Sequence, residues 1–320
     1  MYYIGIDLGG TNIAAGIVDG EGKILLKKSV PTCAEKGAEY VVKAMSELVI
    51  DIMKDFGISF DDIRSIGIGS PGSVDKKNGV TIYTNNIDFK DMPLRARMIE
   101  YFGRNIDIYI DNDANCAAWA EFVAGAAKGV QDAIMITLGT GVGGGIIVNG
   151  KLYSGFNYCG GELGHTVIEK NGIPCNCGRV GCWEVYSSAT ALIRMTKEKA
   201  EANKDSLMWD YYNEKGTWSG RTAFLAADKG DKAACEVIET YIDYLACGVV
   251  NMINIFRPEI FVVGGGIANE GEKLLVPLRE KVKGQVYGNV VSADKVPQTK
   301  IVCAKTGNDA GIIGAALLNE

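Results

Sequence analysis

Two stretches of this chain are versions of one unit. "DLGGTNIAAGIVDGEGKI", from Asp7, and "TLGTGVGGGIIVNGKL", from Thr137, each read as a strand end, a glycine-rich turn, a strand, a tight turn and another strand. A chain that repeats a supersecondary unit builds a similar domain twice. A length of 320 residues agrees, being too long for one comfortable core and suited to two α/β domains. Between the two units lie a helix ("AEYVVKAMSELVIDIMKDFG"), a buried strand ("IRSIGIGSPG"), a helix near Leu94–Phe102 and a strand ("IDIYIDND"). Strands alternating with helices imply mostly parallel sheet. The domain change is expected near Ala114–Gly129. Further on, Ile238, Ile242, Leu245, Val249, Ile253 and Phe256 recur at helical spacing and lead into the buried strand "EIFVVGGGI". The chain closes on a small-residue helix, "GNDAGIIGAALL", with Asn308 or Asp309 as its N-cap.

Charge and cysteine usage narrow the function classes. A formal net charge of -6 argues against a nucleic-acid or anionic-membrane surface. The longest apolar stretch, "YLACGVVNMINIF", is interrupted by Asn251 and Asn254 and is too short to span a bilayer. "MYYIGIDLGG" enters a strand with no basic or apolar leader, so no signal peptide is expected. Nine cysteines in a chain too large to need staples point to a reducing compartment, the cytoplasm, and to thiols used for metal or chemistry.

"GTGVGG" matches G-x-G-x-x-G, but a strand follows it where a dinucleotide fingerprint needs a helix. The P-loop pattern is absent. The turns Gly9, Gly10, Thr11, Asn12 and Gly139, Thr140, Gly141 are either plain tight turns or amide cradles that grip a polyphosphate from two sides. Asp7, ending an apolar strand beside the first turn, is where Mg²⁺ and its waters would sit. "IDNDANCAA" places Asp111, Asn112 and Asp113 between a strand and a helix, so an acid here is either an N-cap or a general base. The loops "GSPGSVD" and "YTNNIDF" lie at strand ends, where ligand contacts concentrate. The only histidine, His165, precedes Cys175, Cys177 and Cys182 in the spacing H-x₉-C-x-C-x₄-C. That Cys₃His set suits a closed structural zinc site; the bland alternative is a lone imidazole beside buried thiols. Cys33, Cys116, Cys159, Cys235, Cys247 and Cys303 occur singly.

"DLGGTN", "SPG", "NDANCAA", "TLGTGVGGG", "GELGH", "CNCGRVGCWE" and "VVGGGI" together resemble the ROK family (repressor, open reading frame, kinase), in order and spacing, from about Tyr3 to Leu317. The resemblance implies a duplicated actin/hexokinase-like (ribonuclease H-like) α/β fold, with two domains and a cleft between them. These would be residues 1–115 and 116–307, with a zinc loop at 162–184 and the terminal helix near 308–320 packed back on the first domain. It implies ATP-dependent phosphorylation of the primary hydroxyl of a hexose, with ATP, Mg²⁺ and one structural Zn²⁺, in a homo-oligomer of two or four chains. "CGRVGCWEVYSSATAL" looks most like the glucose-phosphorylating branch; N-acetylmannosamine, fructose and allose are alternative acceptors. Residue by residue, Asp113 matches the catalytic base. Asn112, Glu162, His165 and Glu184 match sugar-hydroxyl ligands, with Gly72 and Asn86 in addition. Asp7 with Gly9–Asn12, and Gly139, Thr140 and Gly141, match phosphate clamps, while Gly265 and Gly266 match the adenosine wall. His165, Cys175, Cys177 and Cys182 match the zinc ligands. Trp183 stands where relatives often carry an aliphatic residue, which is expected to trim the sugar pocket. Repressors of the family carry an N-terminal helix-turn-helix domain; with a strand expected from Tyr3 there is no room for one here, which disfavours that function.

Overall fold

The computed structural model describes residues 1–84, 86–288 and 296–318. The first repeat folds as strands β1 (Tyr2–Leu8), β2 (Asn12–Val18) and β3 (Ile24–Pro31), helix α1 (Ala38–Phe56) and strand β4 (Ile63–Ser70). A small sheet of β5 (Ser73–Asp75), β6 (Val80–Tyr83) and β7 (Lys90–Met92) follows, then α2 (Leu94–Phe102), β8 (Ile108–Asn112) and α3 (Asp113–Val123). The second repeat opens with β9 (Ala133–Leu138), β10 (Val142–Val148) and β11 (Lys151–Tyr153). Helices α4 (Glu184–Ser187), α5 (Ala189–Ala202), α6 (Met208–Lys215), α7 (Thr222–Ala227) and α8 (Lys232–Phe256) intervene before β12 (Ile260–Gly264), α9 (Glu272–Lys283), β13 (Lys300–Cys303) and α10 (Ala310–Ala316). No helix among the described residues is long and apolar enough to cross a membrane.

The duplication is visible in the sheets. One runs β3-β2-β1-β4-β8, the other β11-β10-β9-β12-β13. In each, a hairpin meander feeds a parallel edge, with β4 parallel to β8 and β12 parallel to β13. The likeness reaches single side chains. Arg95 of α2 donates its Nε–H to the Ile108 carbonyl on edge strand β8 at 2.7 Å, and Arg279 of α9 donates its Nε–H to the Ile301 carbonyl on edge strand β13 at 2.9 Å. The β10–β11 hairpin turns on Asn149 and Gly150, at φ 52° and 72°, the left-handed pair that two-residue hairpin loops require.

The chain divides into two compact units, Met1–Met135 with Gly145–Gly161 and Lys305–Glu320, and Ile136–Gly144 with Glu162–Ala304. This differs from a division at residue 115, because α3 belongs with the N-terminal strands. In the first unit, pairing sets Gly16, Gly5 and Gly67 in one row across β2, β1 and β4. That bare row is the seat of α10. A Cβ on Gly5 would meet the Ile312 carbonyl oxygen at 1.9 Å, and one on Gly67 the Ala315 carbonyl oxygen at 1.7 Å. From the other side, a Cβ on Gly314 would meet the Cys116 carbonyl oxygen of α3 at 1.7 Å. Asp309 occupies the cap position of α10 without capping it; its Oδ1 accepts from Lys27 Nζ at 2.8 Å. The last residues of the expected helix, 319–320, lie outside the described residues. In the second unit α8 carries the core: Asp231 caps it by accepting from the Ala234 N–H at 2.8 Å, and Ile242, Leu245, Val249 and Ile253 are buried along one stripe.

Candidate functional site

In the first unit, strand register assembles the acidic groups. Asp7 pairs opposite Gly69 of β4, and Gly69 opposite Asp111 of β8, so all three share one row at the strand ends. The cap of α3 is Asn112: its Oδ1 accepts from the Ala114 N–H at 2.9 Å and the Asn115 N–H at 3.3 Å. Its Nδ2 donates to the Gly72 carbonyl at 3.0 Å, which joins two of the expected sugar contacts. Gly72 sits at φ 79°, where a Cβ would strike the Tyr83 carbonyl oxygen at 2.0 Å. Asp111 is buried, and its Oδ1 accepts from Asn115 Nδ2 at 2.8 Å. Asp113 is therefore neither the cap nor a buried anchor. It is the exposed first residue of α3, with Oδ1 2.9 Å from the Ala114 N–H.

Asp7 is largely enclosed. Burial, and then the charge of Asp113, raise its carboxyl from 3.8 to about 6. Gly311 of α10 lies against it; a Cβ there would come 2.5 Å from the carboxylate. The adjacent turn is fixed by the Gly9 N–H donating to the Asn12 carbonyl at 3.0 Å and by Thr32 Oγ1 donating to the Gly9 carbonyl at 2.6 Å. Asn86 lies over it, 3.2 Å from where a Gly10 Cβ would be. Its neighbour Asn85 lies outside the described residues.

In the second unit, the Gly139 N–H donates to the Gly141 carbonyl at 3.0 Å, closing the second turn. The start of α5 holds that turn: the Ala189 N–H donates to the Gly139 carbonyl at 2.8 Å and Thr190 Oγ1 to the Thr140 carbonyl at 2.8 Å. Gly265, at φ 84°, leaves no room for a side chain against Leu138, whereas the space above Gly266 is open.

Glu184 links this turn to the thiol cluster. Its Oε2 accepts from the Val142 N–H at 3.0 Å, and its Oε1 lies 3.9 Å from Cys175 Sγ. A Cβ on Gly141 would collide with this carboxylate. Glu162 is exposed, and its carbonyl accepts from the His165 N–H at 3.1 Å. His165 Nδ1 lies 3.7 Å from Cys175 Sγ, and Cys177 Sγ 3.6 Å from Cys182 Sγ. One ligand atom from each of the four residues lies within 4.8 Å of all the others. Thiolates 2.3 Å from a tetrahedral Zn²⁺ would be about 3.8 Å apart, so the spacing and the donor set fit that ion. Burial pushes the Cys182 thiol up to about 12, while the Arg179 backbone N–H holds Cys177 down.

Two residues fall outside the expected pattern. Trp183 has no exposed surface with which to trim a pocket. It is fully buried against Gly248 of α8, with Nε1–H donating to the Tyr244 carbonyl at 3.1 Å, because the turn at 182–184 directs it into the core while Glu184 faces the other way. Gly311, which touches Asp7, is not among the expected site residues; its signal in the sequence is a glycine inside a helix where five of seven residues are Gly or Ala.

Two copies of a hairpin-led α/β sheet, with a carboxylate and a glycine turn at the strand ends, define the actin/hexokinase-like class of folds. Residues 3–320 match the ROK family, and the chain belongs to it. It is 37% identical to a glucokinase of Thermotoga maritima across 98% of this chain and 95% of that protein. A ROK glucokinase of Streptomyces griseus, solved in complex with glucose and AMPPNP, is 35% identical and superposes at a TM-score of 0.82, covering 99% of this chain and 98% of that one. A xylose repressor of Bacillus subtilis is 30% identical over 90% of this chain and 70% of its own length.

Proposed function

We propose that the protein is an ATP-dependent hexose kinase that phosphorylates the 6-hydroxyl of glucose. The observation that carries this is the full-length likeness to glucokinases, one of them solved with glucose and AMPPNP. Its placement of Asp113 is consistent with the reading. With Asn112 already capping α3, Asp113 is left exposed on the first turn, where a base must be to reach a substrate.

Asp113 orients the acceptor hydroxyl and takes its proton. Asn112 uses one of its two amide hydrogens on Gly72 and offers the other to the sugar. Glu162, His165 and Glu184 accept or donate to the remaining hydroxyls, with Gly72 and Asn86 completing the set. The turns Gly9–Asn12 and Gly139, Thr140 and Gly141 bind the phosphates of Mg·ATP through the amides left over once the Gly9 and Gly139 N–H groups have closed them, and Asp7 holds the hydrated Mg²⁺ of that substrate. Gly265 and Gly266 bound the adenosine. Because the transition state of phosphoryl transfer is loose, positioning and charge stabilisation carry most of the rate. His165 with the thiolates of Cys175, Cys177 and Cys182 would hold a Zn²⁺, whose contribution would be a rigid cross-link of the loop. Held through Nδ1, the side nearer Cys175, the His165 ring would keep its Nε2 for a sugar hydroxyl.

A coupled kinase assay at one ATP concentration, run on glucose, mannose, N-acetylmannosamine, fructose and allose, tests the proposal. Glucose should give the highest kcat/KM. A tenfold preference for N-acetylmannosamine or allose would overturn the choice of substrate, and no transfer to any hexose would overturn the activity.

A further inference from the structure

Glu121, in the last turn of α3, is a carboxylate with no exposed surface. Burying a charge is costly unless it is fully hydrogen-bonded. Here every donor is neutral. Oε1 accepts from the Lys305 N–H at 2.8 Å, the Thr306 N–H at 2.7 Å and Thr306 Oγ1 at 2.5 Å, and Oε2 accepts from the Ala126 N–H at 2.6 Å. Gly125 makes room for this, since a Cβ there would lie 2.2 Å from Oε2.

The segment it holds is the one by which the chain re-enters the first unit, whose last portion begins at Lys305. After Thr306 come Gly307 at φ 58°, a single 3₁₀ turn and α10. That helix has no side-chain cap of its own, because Asp309 is turned to Lys27. Its second residue is Gly311, in contact with the Asp7 carboxylate. One helix, α3, thus carries Asp113 at its first residue and, two turns and more later, the carboxylate that anchors the start of the helix lying on Asp7.

We propose that Glu121 is a positioning residue for Asp7: by clamping Lys305 and Thr306 it holds the start of α10, and so Gly311, against the carboxylate that meets the metal–nucleotide substrate. The last clause rests on the kinase reading above; the clamp itself does not. Glutamine at 121 would turn one oxygen into a donor facing either the Ala126 N–H or the donors of Lys305 and Thr306, so the clamp loses a bond on one side whichever way the amide points.

The test uses the full chain with Glu121→Gln and Gly125→Ala, the second pushing on the same carboxylate from outside. Amide hydrogen exchange over residues 305–311 should speed up by about tenfold or more in both variants. Calorimetric affinity for Mg·ATP should weaken by about tenfold, while the KM for glucose changes by less than about twofold. If Glu121→Gln does not fold, Thr306→Val removes only the hydroxyl donor and should show the same split at about threefold. A variant with a lowered Tm and unchanged Mg·ATP affinity, or one in which both substrates weaken together, would reduce Glu121 to a structural role and overturn the proposal. Faster exchange at 305–311 in a protein whose wild type binds no Mg·ATP would keep the clamp and overturn the kinase reading together with the role assigned to Asp7.

Discussion

Replacing Asp7 with asparagine should make the protein more stable at neutral pH and nearly inactive. Asp7 lies beneath Gly311, and burial followed by the charge of Asp113 raises its carboxyl from 3.8 to about 6. A carboxyl with a raised folded pKa binds more protons folded than unfolded. Its stabilising contribution is complete below 3.8 and is lost as pH rises through about 6. The shift, 6 minus 3.8, is roughly two units, and at 1.36 kcal/mol each the ionised form costs about 3 kcal/mol above that range. Asparagine keeps the shape and removes the charge. Urea unfolding of both proteins across a pH series should give the variant an advantage of about 1–3 kcal/mol at pH 8 that shrinks steadily as pH falls toward 4. Activity should fall with it, since in the proposed function this carboxylate is the group that meets Mg·ATP. Equal stability at pH 8, or an advantage that persists undiminished in acid, would refute the account of what ionising Asp7 costs.

Asp113→Asn should lower kcat by about 10²–10⁴-fold while leaving the KM for glucose and the Tm close to wild type, because Asn112 still caps α3. A near-normal kcat would reduce Asp113 to an N-terminal helix charge. Elemental analysis of protein purified without chelator should find one zinc per chain, and a chelator should abolish glucose affinity while the far-UV spectrum is retained. Since burial holds the Cys175 and Cys182 thiols toward the protonated form, zinc uptake must release protons, and competition with a chelator should show affinity falling as pH is lowered. Zinc affinity independent of pH would rule out thiolate ligation. Gly248→Ala would place a methyl about 2.0 Å from the Trp183 ring, and should cost about 1–3 kcal/mol by urea unfolding with little change in KM.

The duplication was legible because its carriers are local. A glycine turn followed by an alternating strand has a period that one window of sequence displays, and both hairpins formed where that pattern stood. The Cys₃His group was legible for the same reason: its ligands lie within one loop, and their spacing implies proximity. What escaped depends on contacts between distant segments. Nothing near Gly5, Gly16 or Gly67 announces that a helix from the far end of the chain will rest on them. Glu121 reads as an ordinary helix-surface acid until Lys305 and Thr306 arrive beside it. In "DND", periodicity could not separate cap from base, because three adjacent polar residues differ only in the direction each faces once β8 hands over to α3. The burial of Trp183 has a related cause: its place beside Glu184 in the sequence says nothing of its direction, and only Gly248, far along the chain in α8, makes room for its ring in the core.

The paired arginines on the edge strands bear on how this protein behaves in company. A sheet that ends on a parallel border strand carries a row of carbonyls directed away from its neighbour, and this fold, being doubled, ends that way twice. Arg95 and Arg279 occupy the carbonyls of Ile108 and Ile301 from inside the same molecule. A foreign strand adding to either border would have to evict a guanidinium and leave it without that acceptor. The same arginine in both repeats thus takes up one outward carbonyl on each border strand, which weighs against a foreign strand pairing at either of the two places where duplication sets such a border.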